Sequence, residues 1–375
     1  MVPCAPSNGI GGEYPPTRVA DGPPTSAGGR SIPMLRRGEC GAPRRGRGWH
    51  RTVVAIAAAS VVMLSGCGTD AEIAPERLAT AQDGHIVSVA WLPSGQLYVL
   101  RYVDSASPTR LAMITSSGRG ETVAVPSTGF CGAPEIVTIS TLPDGRLGAV
   151  VDCEATTTHV SSRIAAALDD GKMVKLATLG AQWLVSWDDD LSNGWVEYAA
   201  GDCRSIARYV RGHVVPFPKY GPAQLVPFGL DQDFFDPSGC STPGRAGFLA
   251  VARSGEIFFL VSDEAESLFD ESARWRAMTF DPASGLIRQT GPELTDPSDV
   301  AVSPDGAALL VSGRHDNRSG VWRIDTASGE FSRVLSGRFG AIGVSADSRR
   351  AAIARWTERG DDLVQLDLVQ TTPGP

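Results

Sequence analysis

The chain has 375 residues, with 34 Lys and Arg against 42 Asp and Glu, a net charge of −8. That acidic balance argues against a nucleic-acid partner, which needs a basic face. The length suits one large all-β domain or two ordinary ones.

Residues 1–33 are rich in Pro, Gly and Ser, with Pro15-Pro16 and Pro23-Pro24. They show no apolar periodicity and cannot pack a core. Met34-Leu35-Arg36-Arg37 has the ordinary basic character of an export signal. The expectation is a start at Met34, with 1–33 an extension of the reading frame. A disordered leader is the other reading.

A basic stretch, Arg44-Arg45-Gly46-Arg47-Gly48-Trp49-His50-Arg51, leads into an apolar run from Thr52 to Leu64. The run has only 13 residues, and a spanning helix needs about 20. Positive segment, short apolar segment and small residues follow each other as in a signal peptide. Leu64-Ser65-Gly66-Cys67 then resembles the lipobox of bacterial lipoproteins. The resemblance implies that the Cys67 thiol is diacylated, that the chain is cut before it, and that 34–66 is removed. It implies a cell-membrane protein, lipid-anchored and facing the extracytoplasmic side. Acyl chains contribute about 0.8 kcal/mol per buried CH₂, so two or more hold firmly.

Residues 1–66 carry eight Arg and three acids, so the part from Cys67 onward has 26 basic and 39 acidic residues, a net of −13. Charge alone would not hold it on an anionic membrane; the lipid must. Residues 67–75 read as a tether and 76–375 as one β-propeller domain. Four cysteines remain after Cys67: Cys131, Cys153, Cys203 and Cys240. An even number outside the membrane fits two disulfides. A zinc site competes, but no C-x₂-C spacing and no neighbouring His supports it.

A short turn recurs along the domain. Its copies include Pro93-Ser94-Gly95, Pro143-Asp144-Gly145, Ser192-Asn193-Gly194, Arg253-Ser254-Gly255, Pro304-Asp305-Gly306 and Ala346-Asp347-Ser348. Taking Gly95, Gly145, Gly194, Gly255, Gly306 and Ser348 as marks, the steps are 50, 49, 61, 51 and 42 residues. Each mark predicts a hairpin between an apolar strand and an alternating one. Second turns follow at Asp169-Asp170-Gly171, Ala283-Ser284-Gly285 and Ala327-Ser328-Gly329. The fullest unit predicts four strands, over 299–302, 308–311, 320–325 and 330–335. A four-stranded meander is one propeller blade. Six marks predict six blades, and the long step from Gly194 to Gly255 leaves seven open. The last unit has room for three strands, Ala341–Ser345, Arg350–Trp356 and Leu363–Leu368. Glu76–Thr80 is the expected donor of the fourth, which would close the ring.

Ser303-Pro304-Asp305-Gly306 through Val321-Trp322-Arg323-Ile324-Asp325 resembles the repeats of TolB-like and WD40-like six-bladed propellers. The resemblance is good over 296–370 and faint over 85–290. It implies that Ser-Pro-Asp-Gly is a structural turn and carries no site.

By position in the repeat, Cys153 and Cys203 fall near the outgoing end of a second strand. Cys131 and Cys240 precede a first strand. The natural pairs are Cys131–Cys153 within a blade and Cys203–Cys240 between neighbours.

Other candidates are weaker. Asp188-Asp189-Asp190 could offer oxygens to calcium, but a solvated turn explains it as well. Asp231-Gln232-Asp233-Phe234-Phe235-Asp236-Pro237 lies in the longest inter-blade segment, where function often sits. The histidines His85, His159, His213 and His315 are spread one to a unit. Trp183, Trp187, Trp195, Trp275, Trp322 and Trp356 could line a cleft, though large aromatics also fill gaps between blades. No G-x-S-x-G elbow or phosphate loop occurs. We therefore assign no catalytic residue, no metal ligand and no cofactor. The sequence favours a non-catalytic binding or scaffolding module for a protein, peptide or small molecule. The alternative is a propeller enzyme (a lactonase, lyase or quinone-dependent dehydrogenase) with a site assembled from several blades.

Overall fold

The computed structural model describes residues 75–369 apart from 83, 104–108, 116–117, 126–127, 132–133, 154–161, 170, 181–182, 201–202, 217–244 and 266–269. For 80–82, 162, 183, 198–200, 203–205, 216 and 245 only the backbone is described. The described residues are strands and turns, without a helix.

β1 (Glu76–Gln82) stands apart from its sequence neighbours. A first antiparallel sheet follows: β2 (His85–Trp91), β3 (Leu97–Tyr102), β4 (Arg110–Ile114) and β5 (Gly120–Thr122). A second comprises β6 (Pro134–Thr141), β7 (Leu147–Cys153), β8 (Ser162–Asp169) and β9 (Lys172–Gly180). A third holds β10 (Trp183–Trp187), β11 (Asn193–Ala200), β12 (Cys203–Val210) and β13 (His213–Pro216). Then comes a seven-stranded sheet: β14 (Arg245–Val251), β15 (Ile257–Ser262), β16 (Arg274–Asp281), β17 (Leu286–Val302), β18 (Ala308–His315), β19 (Arg318–Asp325) and β20 (Phe331–Ser336). The last sheet has the order β1-β23-β22-β21, with β21 (Phe339–Val344), β22 (Arg350–Thr357) and β23 (Gly360–Asp367).

The expected partner of the last unit is thus in place, as a strand two residues longer than the sequence suggests. Glu76 faces Gln365 and Arg77 faces Val364 in register. Gln365 Nε2 donates to Glu76 Oε2 at 3.3 Å, and Arg77 Nε lies 3.6 Å from Asp362 Oδ2.

The first strand of the fullest unit differs from expectation. It is not a separate strand over 299–302 but the end of the 17-residue β17. The front of β17 pairs with β16 and its end pairs with β18, with a register shift between Thr295 and Asp299. Asp296 takes a left-handed φ of 50° at the change of partner. Phe258, Leu260, Trp275 and Ala277 of the front half pack against Leu309, Val311, Trp322 and Ile324 of the back half. The sheet is therefore folded on itself at this point.

Second strands are covered on both faces, which corrects the expected alternation. Every side chain of β15, Ile257-Phe258-Phe259-Leu260-Val261-Ser262, is buried. Ile257, Phe259 and Val261 join a cluster with Trp195 and Ile206 of the third sheet; Phe258 and Leu260 face the back half of the seven-stranded sheet. A strand sandwiched between two sheets reads as an apolar run. Val89 and Val99 of the first sheet meet Ala341, Ala352 and Leu363 of the last. The first and last sheets therefore share a core, in a propeller-like arrangement.

The third turn mark also shifts. In five copies the marked residue donates its N–H three residues back, as Gly95 does to Leu92 O and Ser348 to Ser345 O. In the third copy the donor is Leu191, to Asp188 O at 2.9 Å, with φ 52°. Gly194 lies beyond the turn, inside β11. It is glycine for another reason, since a Cβ there would fall 2.3 Å from Ser186 O. Asp190 holds the displaced turn by accepting from Ser192 N and Ser192 Oγ, at 2.9 and 2.6 Å.

Candidate functional site

The two ends of these sheets are built differently. The short recurring turns join first to second strands at one end. At the other end first strands open and second strands close, and the connections there include 123–133, 154–161 and 217–244. Among the described residues, buried Arg101, Asp361 and Asp362 lie toward this second end.

Every first strand carries a register shift near its opening. The shifts fall at Ile86/Ser88, Ile136/Thr138, Leu184/Ser186, Gly247/Ala250, Thr295/Asp299 and Phe339/Ile342. A bulge takes a residue out of the ladder and leaves backbone groups to be satisfied elsewhere. In four places a polar side chain from the preceding sheet does this. Ser88 Oγ accepts from Ile139 N at 3.2 Å, and Glu197 Oε1 from Leu249 N at 2.9 Å. Asp299 Oδ2 accepts from Ile342 N at 2.6 Å, and Asp361 Oδ2 from Ile86 N at 2.8 Å. These four side chains staple one repeat to the next around the ring.

The Asp361 staple has a charged neighbour. Asp361 is 0% exposed, and Arg101 on β3 is 4% exposed. The Asp361 carboxyl is raised by burial, against the opposing pull of Ile86 N–H, His85 and Arg101. His85 Nδ1 lies 3.2 Å from Asp361 Oδ1. Burial lowers the Arg101 guanidinium, and the Asp361 charge opposes this. Among the described residues Arg101 Nε, Nη1 and Nη2 have no hydrogen-bond partner, so Asp361 is its main compensation.

Asp299 is the most shifted carboxyl. Burial pushes it up to about 7, outweighing the N–H bonds from Ile342 and Val300, and the Glu197 carboxylate adds to the rise. The folded chain then holds a proton, between the unfolded carboxyl value near 4 and about 7, that the unfolded chain has lost. The contribution of Asp299 is fullest at low pH and is lost as pH rises through about 7. Asp361 and Asp296 are raised too and act in the same direction. The melting temperature should therefore fall from about pH 5 to about pH 8, and Asp299→Asn should flatten that fall. An identical slope in the variant would refute the assignment.

Cys131 and Cys153 are joined by a disulfide with a Cα–Cα distance of 5.4 Å. It ties the segment entering β6 to the end of β7, as the repeat positions predicted. A loop of this size contributes about 3 kcal/mol. Nearer the last sheet, a small recess is lined by Asp296, Ser298, Arg338, Phe339 and Trp356. The Arg338 guanidinium lies 5.0 Å above the Trp356 ring, which is 37% exposed.

The other candidates disperse. Cys67, Cys240, His159 and Asp231–Pro237 lie outside the described residues, as do the side chains of Cys203 and Trp183. Backbone pairing places Cys203 at the start of the third strand β12, opposite Ala200, rather than at the end of a second strand. Asp188 is ion-paired with Arg208, and Asp190 caps its own turn, so these two members of the Asp triplet are structural. Trp187, Trp195, Trp275 and Trp322 fill the core. Among the described residues no three His, Cys, Asp or Glu side chains converge. Sequence reasoning missed Ser88, Glu197, Asp299, Asp361 and Arg101. One signal was present: Ser88, Thr138 and Asp299 each stand seven residues before a turn mark.

No family model matches the chain, and no curated protein matches it. Among solved structures it is similar to an α-L-arabinanase of Penicillium chrysogenum complexed with arabinobiose. That match has a TM-score of 0.50 at 11% identity, over 80% of this chain and 99% of that one. TolB of Acinetobacter baumannii gives 0.48 at 12%, over 76% and 61%. A Cps50 β-propeller domain of Myceliophteria_thermophila gives 0.44 at 14%, over 78% and 99%. At such identities likeness extends to the fold alone.

Proposed function

We propose that the chain is an exported lipoprotein whose six-bladed propeller acts as a binding module. The seven-stranded sheet is two blades sharing β17, divided at the bend at Asp296, and β1 completes the sixth blade. The binding face is the end where second strands close. One observation carries this reading, the asymmetry of the ends. Short hydrogen-bonded turns close one end, whereas the other carries the long connections, the disulfide and the exposed Trp356 with Arg338. Long connections on a rigid scaffold are where recognition concentrates. An enzymatic reading would lean on Asp299, whose raised carboxyl is the usual mark of acid–base work. Both of its oxygens are committed to backbone N–H groups, of Val300 and Ile342. That geometry favours a staple.

Photo-crosslinking in membranes tests the face. Probes at Arg338, Trp356 and His315 should give discrete adducts, and probes at Ser94, Asp144 and Asp305 should not. Adducts from the turn end alone, or from neither end, would overturn the proposal. The anchor is tested by Cys67→Ala. Acyl labelling should disappear, with the protein left uncut or released to the soluble fraction. A variant as fully processed and membrane-bound as the parent would remove the lipoprotein reading.

A further inference from the structure

The end where second strands close holds two arginines side by side. Arg101 is the penultimate residue of β3, and Arg110 opens β4. They are direct partners in the antiparallel ladder. Such partners share a face, with Cβ atoms about 4.5–5.5 Å apart. Two residues nearer the turn end, Val99 and Ala112 form the same kind of pair. Those two pack against Ala341, Ala352 and Leu363 of the last sheet. Side chains two residues apart on a strand lie on one face, so both arginines stand on the side of the last sheet. Like charges directly opposite each other destabilise a ladder.

The two differ in depth. Arg101 is 4% exposed, whereas Arg110 is exposed. Among the described residues Arg101 Nε, Nη1 and Nη2 have no hydrogen-bond partner. A guanidinium donates several hydrogen bonds in a planar fork and accepts none, so burial without acceptors is costly. The buried acids of the facing sheet are committed elsewhere. Asp361 Oδ2 accepts from Ile86 N, and Asp361 Oδ1 lies against His85 Nδ1. Asp362 Oδ2 is shared by Arg77 and Arg355. Asp361 acts on Arg101 through its charge, without a hydrogen bond. Among the described residues no carboxylate pairs with Arg110.

We propose that Arg101 and Arg110 together bind an oxyanion, a carboxylate or phosphate group of the ligand. The oxygens take the N–H groups of the Arg101 fork, and Arg110 meets them from the solvent side. Guanidinium forks form charge-assisted, bidentate bonds with both kinds of oxyanion. An anion shared by the two arginines also offsets their repulsion across the ladder. The assignment rests on the binding-face reading and deepens it by naming the charged group of the ligand.

The test is calorimetric titration of the full chain with acetate, inorganic phosphate and chloride, at constant low ionic strength. Acetate or phosphate should bind saturably, and the tighter of the two identifies a carboxylate or a phosphate source. Chloride should bind at least about tenfold more weakly, because a single atom does not match the fork. Arg110→Gln changes an exposed side chain and should weaken the oxyanion by about tenfold. Arg101→Lys keeps the charge that faces Asp361 but loses the fork, and should weaken it by a similar factor. Asp361→Asn keeps an acceptor for Ile86 N and removes the neighbouring negative charge, so binding should tighten by about threefold. Arg119→Gln, in the turn at the opposite end of the same sheet, should change nothing. Absence of saturable binding by either oxyanion, equal affinity for chloride, or parental affinity in Arg110→Gln overturns the proposal and leaves water as the partner of Arg101. The titration needs neither membrane nor partner, so its failure leaves the crosslinking result standing, and the reverse also holds.

Discussion

Deleting Glu76–Gln82 should lower the melting temperature by roughly 5–15 °C. The strand does no more than pair with one edge, but that edge is where the ring closes. Glu76, Arg77, Ala79 and Gln82 each face a residue of β23. Ladder bonds are worth about 0.5–1.5 kcal/mol net, so several together amount to about 2–6 kcal/mol. Ala79 is 4% exposed and belongs to the cluster shared by the first and last sheets. Its removal opens that core as well as freeing an edge. Removing residues 68–75, from the tether expected over 67–75, is the control and should leave the melting curve in place. If both deletions melt with the parent, closure does not depend on β1.

Asp361→Ala should cost about 3–5 kcal/mol, more than an exposed acid could. The substitution leaves Ile86 N–H without its acceptor. It also leaves the Arg101 guanidinium, 4% exposed, without its compensating charge. A buried charge deprived of its partner is among the most destabilising changes a core can suffer. The double variant Asp361→Ala/Arg101→Met should therefore be more stable than Asp361→Ala alone, by at least about 1 kcal/mol. Denaturant unfolding of the four members of the cycle reads this directly. Simply additive costs would mean that the two side chains do not act on each other.

Turn chemistry was legible in the sequence wherever one residue decides it. Five of the six marks fall on the residue that closes the turn, because Gly95, Gly145, Gly255 and Gly306 take positive φ and Ser348 joins them. The third mark failed because Gly194 answers to a close approach by Ser186 O and not to a turn. A glycine looks the same in sequence for either reason. Cys131 and Cys153 paired as their places in the repeat implied, since both flank the same end of one sheet. β1 was readable for a similar reason, as the last unit lacked a strand and one stretch was left over.

The amino-acid order by itself determined the all-β class, the repeat, the turns and the strand that completes the last sheet. Each of these depends on local backbone preference or on counting strands. Only the tertiary structure decided the bend in β17, the staples Ser88, Glu197, Asp299 and Asp361, and the buried Arg101 with Arg110 beside it. Every one of these joins residues from different repeats, or from different strands of one repeat. Asp299 and Ile342 lie 43 residues apart, and Asp361 and Ile86 lie 275 apart. A bulge frees an N–H in one sheet, and only packing determines which side chain of the neighbouring sheet reaches it.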